Sequence, residues 1–558
     1  MSPDNANREP SPCRMGEGCH VPLSNSCPAA QHLGGVSEGD RTGRADRVSR
    51  ENSSGASATQ RSGQGGNPIE TAQAAGVVGV PRSSDDPTDS KTEGERRRGT
   101  WVNACGTSEG RDDGRAAVET LFDRITTPVK VQKLQRTLYR KAKAEPGCRF
   151  YSLYGELLRR DVLETAMSAV AHNAGAAGVD GQECSAYTRS DEAWTQWRDT
   201  LLAELRNKTY RASPVRRVRI PKGGGKTRPL GIPTVKDRVV QTAVALLLLP
   251  IWEADSHPHS YAYRPQRNAQ QAMNAISAGL RSGRTEVIDA DLSGYFDSIP
   301  HRELLRLVAR RVSDGRILAL IKAWLRAPIE ERDPDTGRPT ITGNRRGTPQ
   351  GGVISPLLAN LYLSRLDWQV NERCERRPVL VRYADDFVIL SRPGQGAEML
   401  LRLKRWLERN GLTLNETKTR TLDVRAEGFK FLGFGVSWRQ GKSGRSYPHI
   451  EPHPGSQTKL REKLREKLNH WTLWRAAEEV IPEVNRLLKG WGGYFHYANS
   501  TRVFDRLNQY AANRLQRWLW RKGGCRKALW TANPREVLRE RYGLYRLPTR
   551  AAWTQAGA

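Results

Sequence analysis

Long hydrophobic stretches are missing from this 558-residue chain. The longest apolar run, Ala243 to Trp252, has ten residues, about half of the ~20 that a membrane-spanning helix needs, so no transmembrane segment is expected. The N-terminus lacks the apolar core of a signal peptide, and the protein is expected to stay inside the cell. Paired cysteines are missing too. The eight, at positions 13, 19, 27, 105, 148, 184, 374 and 525, form no Cys-x-x-Cys pair, which argues against a zinc site and a disulfide framework. Cys13, Cys19, His20 and Cys27 lie near one another, but in a polar tract where such a match reads as incidental. Acidic residues are in deficit, 60 Asp and Glu against 90 Lys and Arg, for a formal net charge of +30. That is the footprint of a polyanion partner, most simply nucleic acid; an anionic membrane surface is the weaker alternative. Aromatic residues are nearly absent before residue 116, where Trp101 stands alone. Residues 1–115 are rich in Ser, Gly, Asn, Asp, Arg and Pro. They cannot bury enough apolar surface to offset ordering entropy, so a disordered tail is expected. A start site placed too far upstream would give the same composition.

What is present is organised around Val381 to Leu390, Val-Arg-Tyr-Ala-Asp-Asp-Phe-Val-Ile-Leu. Apolar runs on both sides of a short polar centre predict a buried β-hairpin with the aspartates at its turn. Two adjacent carboxylates there repel unless a positive charge joins them, and a divalent cation with oxygen ligands is the usual partner. An isolated Asp-Asp would read as a solvated turn. Here the flanks are too apolar for that, and an upstream partner exists. Val287 to His301, Val-Ile-Asp-Ala-Asp-Leu-Ser-Gly-Tyr-Phe-Asp-Ser-Ile-Pro-His, begins as an alternating strand with Asp289 and Asp291 on one face. A strand-borne Asp beside a hairpin Asp is the minimum for two-metal phosphoryl transfer, with ions roughly 3.5–4 Å apart.

Other stretches carry weaker signals. Val129 to Ala144 predicts a helix with a basic face that includes Lys133, Arg136 and Arg140. Such a face is either solvated or set against a nucleic-acid backbone. Leu153 to His172 reads as one helix, and 191–207 as another. Arg216 to Pro233 predicts a hairpin about a Gly-Gly-Gly turn, with Lys222 and Arg228 on opposite arms. These two suit either triphosphate binding or a solubilising basic edge. Thr234 to Trp252 is an apolar core helix. Arg346 to Pro356, Arg-Gly-Thr-Pro-Gln-Gly-Gly-Val-Ile-Ser-Pro, is a tight loop that opens a helix to Leu366. Phe429 to Phe434 reads as a strand. After residue 455 the pattern turns helical, at 457–468, 481–489 and 502–520, with the block Gly490 to Asn499 as a connector. Basic residues there interleave with Trp471, Trp474, Trp491, Tyr494, Phe495, Tyr497, Trp518 and Trp520. These rings suit base stacking, or core packing at helical spacing.

The Tyr-Ala-Asp-Asp box, the Asp291 block and the Pro-Gln-Gly loop, in this order, resemble the group II intron-encoded reverse transcriptase/maturase family. The resemblance runs from about Leu121 to Pro548. It implies an α+β right-hand polymerase with fingers, an antiparallel-sheet palm and an α-helical thumb/maturase domain. The expected divisions are a disordered tail at 1–115, N-terminal helices and fingers at 116–285 and palm at 286–440. The thumb/maturase region follows at 441–540, then a short basic tail at 541–558.

The resemblance also assigns roles. Asp291, Asp385 and Asp386 would be catalytic, ligating two Mg²⁺ ions together with the Leu292 backbone. Lys222, Arg228, Phe296, Gln350 and Gly351 would meet the incoming dNTP, with Phe296 as a gate against a 2′-OH. Lys418, in Asn-Glu-Thr-Lys-Thr, would sit near the leaving group. Phe431, Leu432 and Gly433 would grip the primer. Lys489 and Trp491 would join Lys133, Arg136 and Arg140 in holding RNA. Implied partners are the intron RNA, an RNA template, a DNA primer, dNTPs and target DNA, in a bacterial cytoplasm and at the nucleoid, with no membrane; monomer and dimer both stay open. Some members carry a His-Asn-His nuclease segment, which the resemblance does not extend to here. Two rival readings are a reverse transcriptase domesticated for phage defence or a CRISPR-linked role, and an RNA-binding splicing factor with an idle polymerase. The maturase-like block argues against the first, and the intact carboxylates against the second.

Overall fold

Eleven strands form among the described residues, which in this computed structural model are 127–223, 226–333, 335–523 and 534–550. The tail expected at 1–115 lies outside them. In chain order the strands are β1 (Val215–Gly223), β2 (Lys226–Ile232), β3 (Glu286–Ala290), β4 (Ile329–Arg332), β5 (Pro339–Thr342), β6 (Val379–Tyr383), β7 (Asp386–Ser391), β8 (Arg420–Asp423), β9 (Phe429–Phe431), β10 (Phe434–Gln440) and β11 (Ser446–Pro452).

The central sheet has the order β6-β7-β3-β8, antiparallel throughout. Its apolar runs lack alternation because both faces are buried. Ile288, Ala290, Leu380, Phe387 and Ile389 enter one core. Their neighbours Val287, Val381, Val388 and Leu390 enter the other. The first core is built on the helix Val235–Asp255, which is buried nearly all round. Against it packs Val129–Ala144, turning Val131, Leu138 and Ala142 inward and donating from Gln135 Nε2 to the Leu246 carbonyl at 2.9 Å. The second core joins the helix Ala269–Arg281 to the C-terminal helices Pro454–Lys467, Ala477–Phe495 and Thr501–Gly523.

The predicted β1–β2 hairpin forms and extends into a mixed sheet, β2-β1-β4-β5, in which β4 runs parallel to β1. The third sheet, β11-β10-β9, spans residue 440, where the sequence reading divides palm from thumb.

Three local expectations need correction. The helix expected over Leu153 to His172 is two, Leu153–Leu157 and Arg160–Asn173. Arg159 between them is extended and pairs with both Glu156 and Asp161. Phe429 to Phe434 is a hairpin rather than one strand, since Leu432 and Gly433 form a two-residue turn with φ 49° and 81°. Gly490 to Phe495 continues a helix instead of connecting two. Its Gly492 permits close approach, because a Cβ there would lie 2.7 Å from Leu547 Cδ2.

Candidate active site

Asp289 lies on β3, and the strand ends at Ala290, so Asp291 follows directly. Ala290 pairs with Phe387 on β7, which carries the register on to Asp291 opposite Asp386. Tyr383 pairs with Asp386, leaving Ala384 and Asp385 as a two-residue turn. Ala384 has φ 62°, a region in which glycine is usual. A non-glycine residue there costs about 1–2 kcal/mol and marks a place the surroundings over-determine.

The Asp291 segment is stapled to the stretch before β8. Asn415 N donates to Asp291 O (2.8 Å), Ser293 N to Thr413 O (2.9 Å), and Asp291 N to Thr419 Oγ1 (3.3 Å). Leu292 forms a bridge with Leu414. The Asp291 carboxylate accepts from Asn415 Nδ2 at 3.0 Å and from Lys418 Nζ at 2.8 Å on Oδ2. Asp289 faces Arg420 at 3.4 Å; burial nonetheless pushes its carboxyl up. Asp386, the first residue of β7, reaches solvent. Loss of hydration there, and then the charges of Asp385, Asp291 and Asp289, push its carboxyl up to about 6.

Among the described residues, no group of three or more His, Cys, Asp or Glu side chains is arranged to hold a metal ion by itself. The donor chemistry nevertheless fits a hard divalent cation. The neighbouring carboxylates oppose ionisation of Asp386, and the Lys418 ammonium pairs with Asp291 at 2.8 Å, where a positive charge is favoured.

The predicted glycine loop is clamped from two sides. Thr348 N donates to Phe296 O (2.7 Å) and Gly347 N to Ile299 O (2.8 Å). On the other side Gly231 N, in β2, donates to Gln350 O at 2.5 Å. Gly347 and Gly351 have φ 84° and 115°, and a Cβ on either would lie inside 3 Å of neighbouring backbone. Arg228 Nε donates to Gln350 Oε1 at 3.0 Å, joining the β2 arm to the same loop. Lys222 lies on β1, but its side chain is outside the described residues. Phe296 is buried, edge-on to Tyr295 at 5.6 Å.

At the β9–β10 hairpin, Phe431 is buried, the Leu432 carbonyl accepts from Tyr494 Oη (3.0 Å), and the Gly433 carbonyl accepts from His453 N (3.0 Å) and Ser456 Oγ (2.8 Å). The helix Ala477–Phe495 is thereby docked onto the hairpin. Lys133 and Arg140 are exposed, Arg136 is half-buried beside Gln132 (3.3 Å), and Lys489 lies over the Tyr545 ring at 5.5 Å. Trp491 is half-buried and packs against Phe495 and Phe504 at 4.6 and 5.6 Å.

Trp471 and Trp474 are the most exposed tryptophans among the described residues, 75% and 82% accessible. They stand on a rigid connector in which Asn469 Oδ1 accepts from Thr472 N and Thr472 Oγ1 accepts from Trp518 Nε1. Helical spacing hid them among the core aromatics. The sequence reading also missed Asn415 beside Asp291, Tyr263 near Asp385, and Arg382. Tyr263 betrays itself in the structure by φ 55° and by a hydroxyl pKa raised by burial and then by Asp385. Arg382 immediately precedes Tyr-Ala-Asp-Asp, but a strand arginine carries no sequence signal that it is buried.

Residues 220–436 match the family described as reverse transcriptase (RNA-dependent DNA polymerase). Residues 457–532 match the group II intron maturase-specific domain. The chain is 33% identical over 353 residues to Protein YkfC of Escherichia coli, covering 56% of this chain and 90% of that protein. It is 35% identical over 219 residues to the group II intron-encoded protein LtrA of Lactococcus lactis, covering 39% of this chain and 35% of LtrA. It is 25% identical over 381 residues to an uncharacterised 91 kDa protein of the cob intron in Schizosaccharomyces pombe, covering 54% of this chain and 46% of that one.

Proposed function

Since the chain belongs to the group II intron-encoded reverse transcriptase/maturase family, we propose that it extends a DNA primer on an RNA template and binds an intron RNA to assist its splicing. The observation that carries this reading is the meeting of Asp291, just after β3, with Asp386 at the start of the adjacent strand β7 and Asp385 in the turn before it. Asp291, Asp385, Asp386 and the Leu292 backbone would hold two Mg²⁺ ions. When bound, these activate the primer 3′-OH and neutralise the transferred phosphates. Arg228 grips the triphosphate, and Lys222 approaches from the facing arm of the hairpin. Gln350 and Gly351 shape the nucleotide site, and Phe296 underlies the sugar. Lys418, paired with Asp291 at 2.8 Å, would supply a cation near the leaving pyrophosphate. Phe431, Leu432 and Gly433 steady the primer. Target DNA is the further partner that this reading implies. The splicing chemistry belongs to the RNA.

Metal binding tests the carboxylate centre directly. Mg²⁺ is expected to raise the Tm of the wild type and not that of Asp291→Asn. Because the Asp386 carboxyl is pushed up to about 6, protons compete with metal below that pH, so the rise should be larger near pH 7.5 than near pH 5.5. In metal-free protein the sign reverses. A raised carboxyl contributes stability that is full below the unfolded value of 3.8 and is lost as pH climbs through about 6. Equal Mg²⁺ responses in the wild type and in Asp291→Asn would count against the centre.

Intron RNA binding is assigned to the basic surfaces around Lys133, Arg136, Arg140 and Lys489, with base stacking on Trp471 and Trp474. Each stacked base contributes about 1–3 kcal/mol. Trp471→Ala/Trp474→Ala should therefore weaken RNA binding at least tenfold in a filter-binding assay without changing the fold. Affinity should also fall steeply with salt, as each neutralised phosphate releases counterions. Unchanged affinity in the double variant would return these rings to bystanders.

A further inference from the structure

We propose that Arg382, buried beneath the Ala384–Asp385 turn, is a positioning residue that sets the Asp385 carboxylate through the carbonyl of Ala384. This rests on the reading of Asp385 as a catalytic carboxylate.

Arg382 is 1% exposed, and all five of its guanidinium N–H donors have partners. Nε and Nη2 donate to the two oxygens of Asp367, itself 0% exposed, at 2.7 and 2.6 Å. Nη2 also donates to Ser260 Oγ at 2.7 Å. Nη1 donates to Asn360 Oδ1 at 3.0 Å and to the Ala384 carbonyl at 2.9 Å. The Arg382 backbone is fixed as well, its N–H donating to His259 O and its carbonyl accepting from Tyr261 N, both at 3.0 Å.

A buried ion pair is weak as a stabiliser. Apolar residues of similar volume often serve a core as well or better, so its presence needs another reason. The neighbouring turn supplies one. Ala384 is held at φ 62°, and backbone strain of this kind persists only where the surroundings enforce it. Arg382 Nη1 donates to the Ala384 carbonyl at 2.9 Å, and Asp385 is the next residue. Asp367 and Asn360 lie on the helix Ser355–Asn371, which begins where the Pro-Gln-Gly-Gly loop ends. One rigid rod therefore references both the loop and the carboxylate turn. Arg382 touches neither substrate nor the reacting atoms.

The test uses the full chain with three changes. Arg382→Lys keeps the charge beside Asp367 but lacks the fork needed to reach Ala384 at the same time. A misplacement near 1 Å costs about 10²-fold in rate, so kcat for primer extension should fall about that much, with the dNTP KM little changed. Loss of a partner that orients a metal ligand typically costs about 10–100-fold in metal affinity. The Mg²⁺ half-saturation, and the Mg²⁺ dose that raises Tm, should therefore both increase at least tenfold. Arg382→Met/Asp367→Leu replaces the pair with apolar side chains. It is expected to fold with a lowered Tm, since Asn360 Oδ1 and the Ala384 carbonyl lose a donor, and to show the same loss of kcat and of Mg²⁺ response. Should Arg382→Lys fail to fold, this double variant decides alone. Wild-type kcat and Mg²⁺ half-saturation in a folded double variant would overturn the proposal, because the pair would then be purely structural. Asp385→Asn is the third change. If it retains synthesis, the reading of Asp385 itself fails; if it is inactive while the Arg382 variants behave as wild type, only the present proposal fails.

Discussion

Asp385→Ala is expected to lower primer extension on an RNA template by about 10⁴-fold, equivalent to ~5.5 kcal/mol of transition-state stabilisation. Asp385 is one of two turn residues between β6 and β7, and its charge acts on Asp386 beside it. Removing it takes away a ligand of the proposed metal centre and a source of negative potential together. The fold should hardly notice. Asp385 is only half-buried and lies in a turn rather than in either core, and losing a like charge beside Asp386 relieves repulsion. RNA binding and splicing should survive, because the surfaces assigned to RNA, around Lys133, Arg140, Trp471 and Trp474, are carried on other elements. Loss of splicing in step with synthesis, in a protein with unchanged Tm, would contradict the separation of the two activities.

Gly351→Ala is expected to have the second largest effect. A Cβ there would lie 2.2 Å from the Gly231 carbonyl oxygen and 3.0 Å from Leu230 Cδ1, at a φ of 115° that only glycine adopts freely. The clash is with backbone, so no side-chain rotation relieves it; either β2 or the loop must move. Both carry residues assigned to the nucleotide, since Arg228 on β2 donates to Gln350 at 3.0 Å. The Gly231 N–H bond to Gln350 O, at 2.5 Å, would be lost with them. A displacement of this size should cut kcat/KM for dNTP at least about 10²-fold. Strain at a special φ together with overpacking should lower stability by about 2–4 kcal/mol. Gly343→Ala is the matched control, since a Cβ there meets nothing within 4 Å. Equal kinetics in the two variants would mean that the loop does not shape the nucleotide site.

Much of this centre is legible in the sequence because its parts are local. Apolar runs around Asp385–Asp386 announce a hairpin buried on both faces, and the paired acids announce its turn. The hairpin formed by β1 and β2 is read the same way. What stays hidden depends on distant partners. Arg382 is an ordinary basic residue until Asp367, Asn360 and Ser260 converge on it from other elements. Gly490 and its neighbours read as a helix break, whereas tertiary packing against Leu547 uses a glycine within the helix for contact. Trp491 and Trp474 are indistinguishable by spacing, yet one packs against Phe495 and Phe504 while the other stands in solvent. Lys418, assigned by resemblance to the leaving group, rests on Asp291 at 2.8 Å, a pairing set by the crowding of carboxylates rather than by its own neighbours in the chain.

Extension of a DNA primer on an RNA template, with dNTPs and Mg²⁺, by the wild type beside Asp385→Ala tests the central claim most directly. Extension by the wild type alone is expected, with both proteins binding RNA equally tightly. Tight RNA binding with no extension by either protein would contradict it and favour a splicing factor whose polymerase is idle.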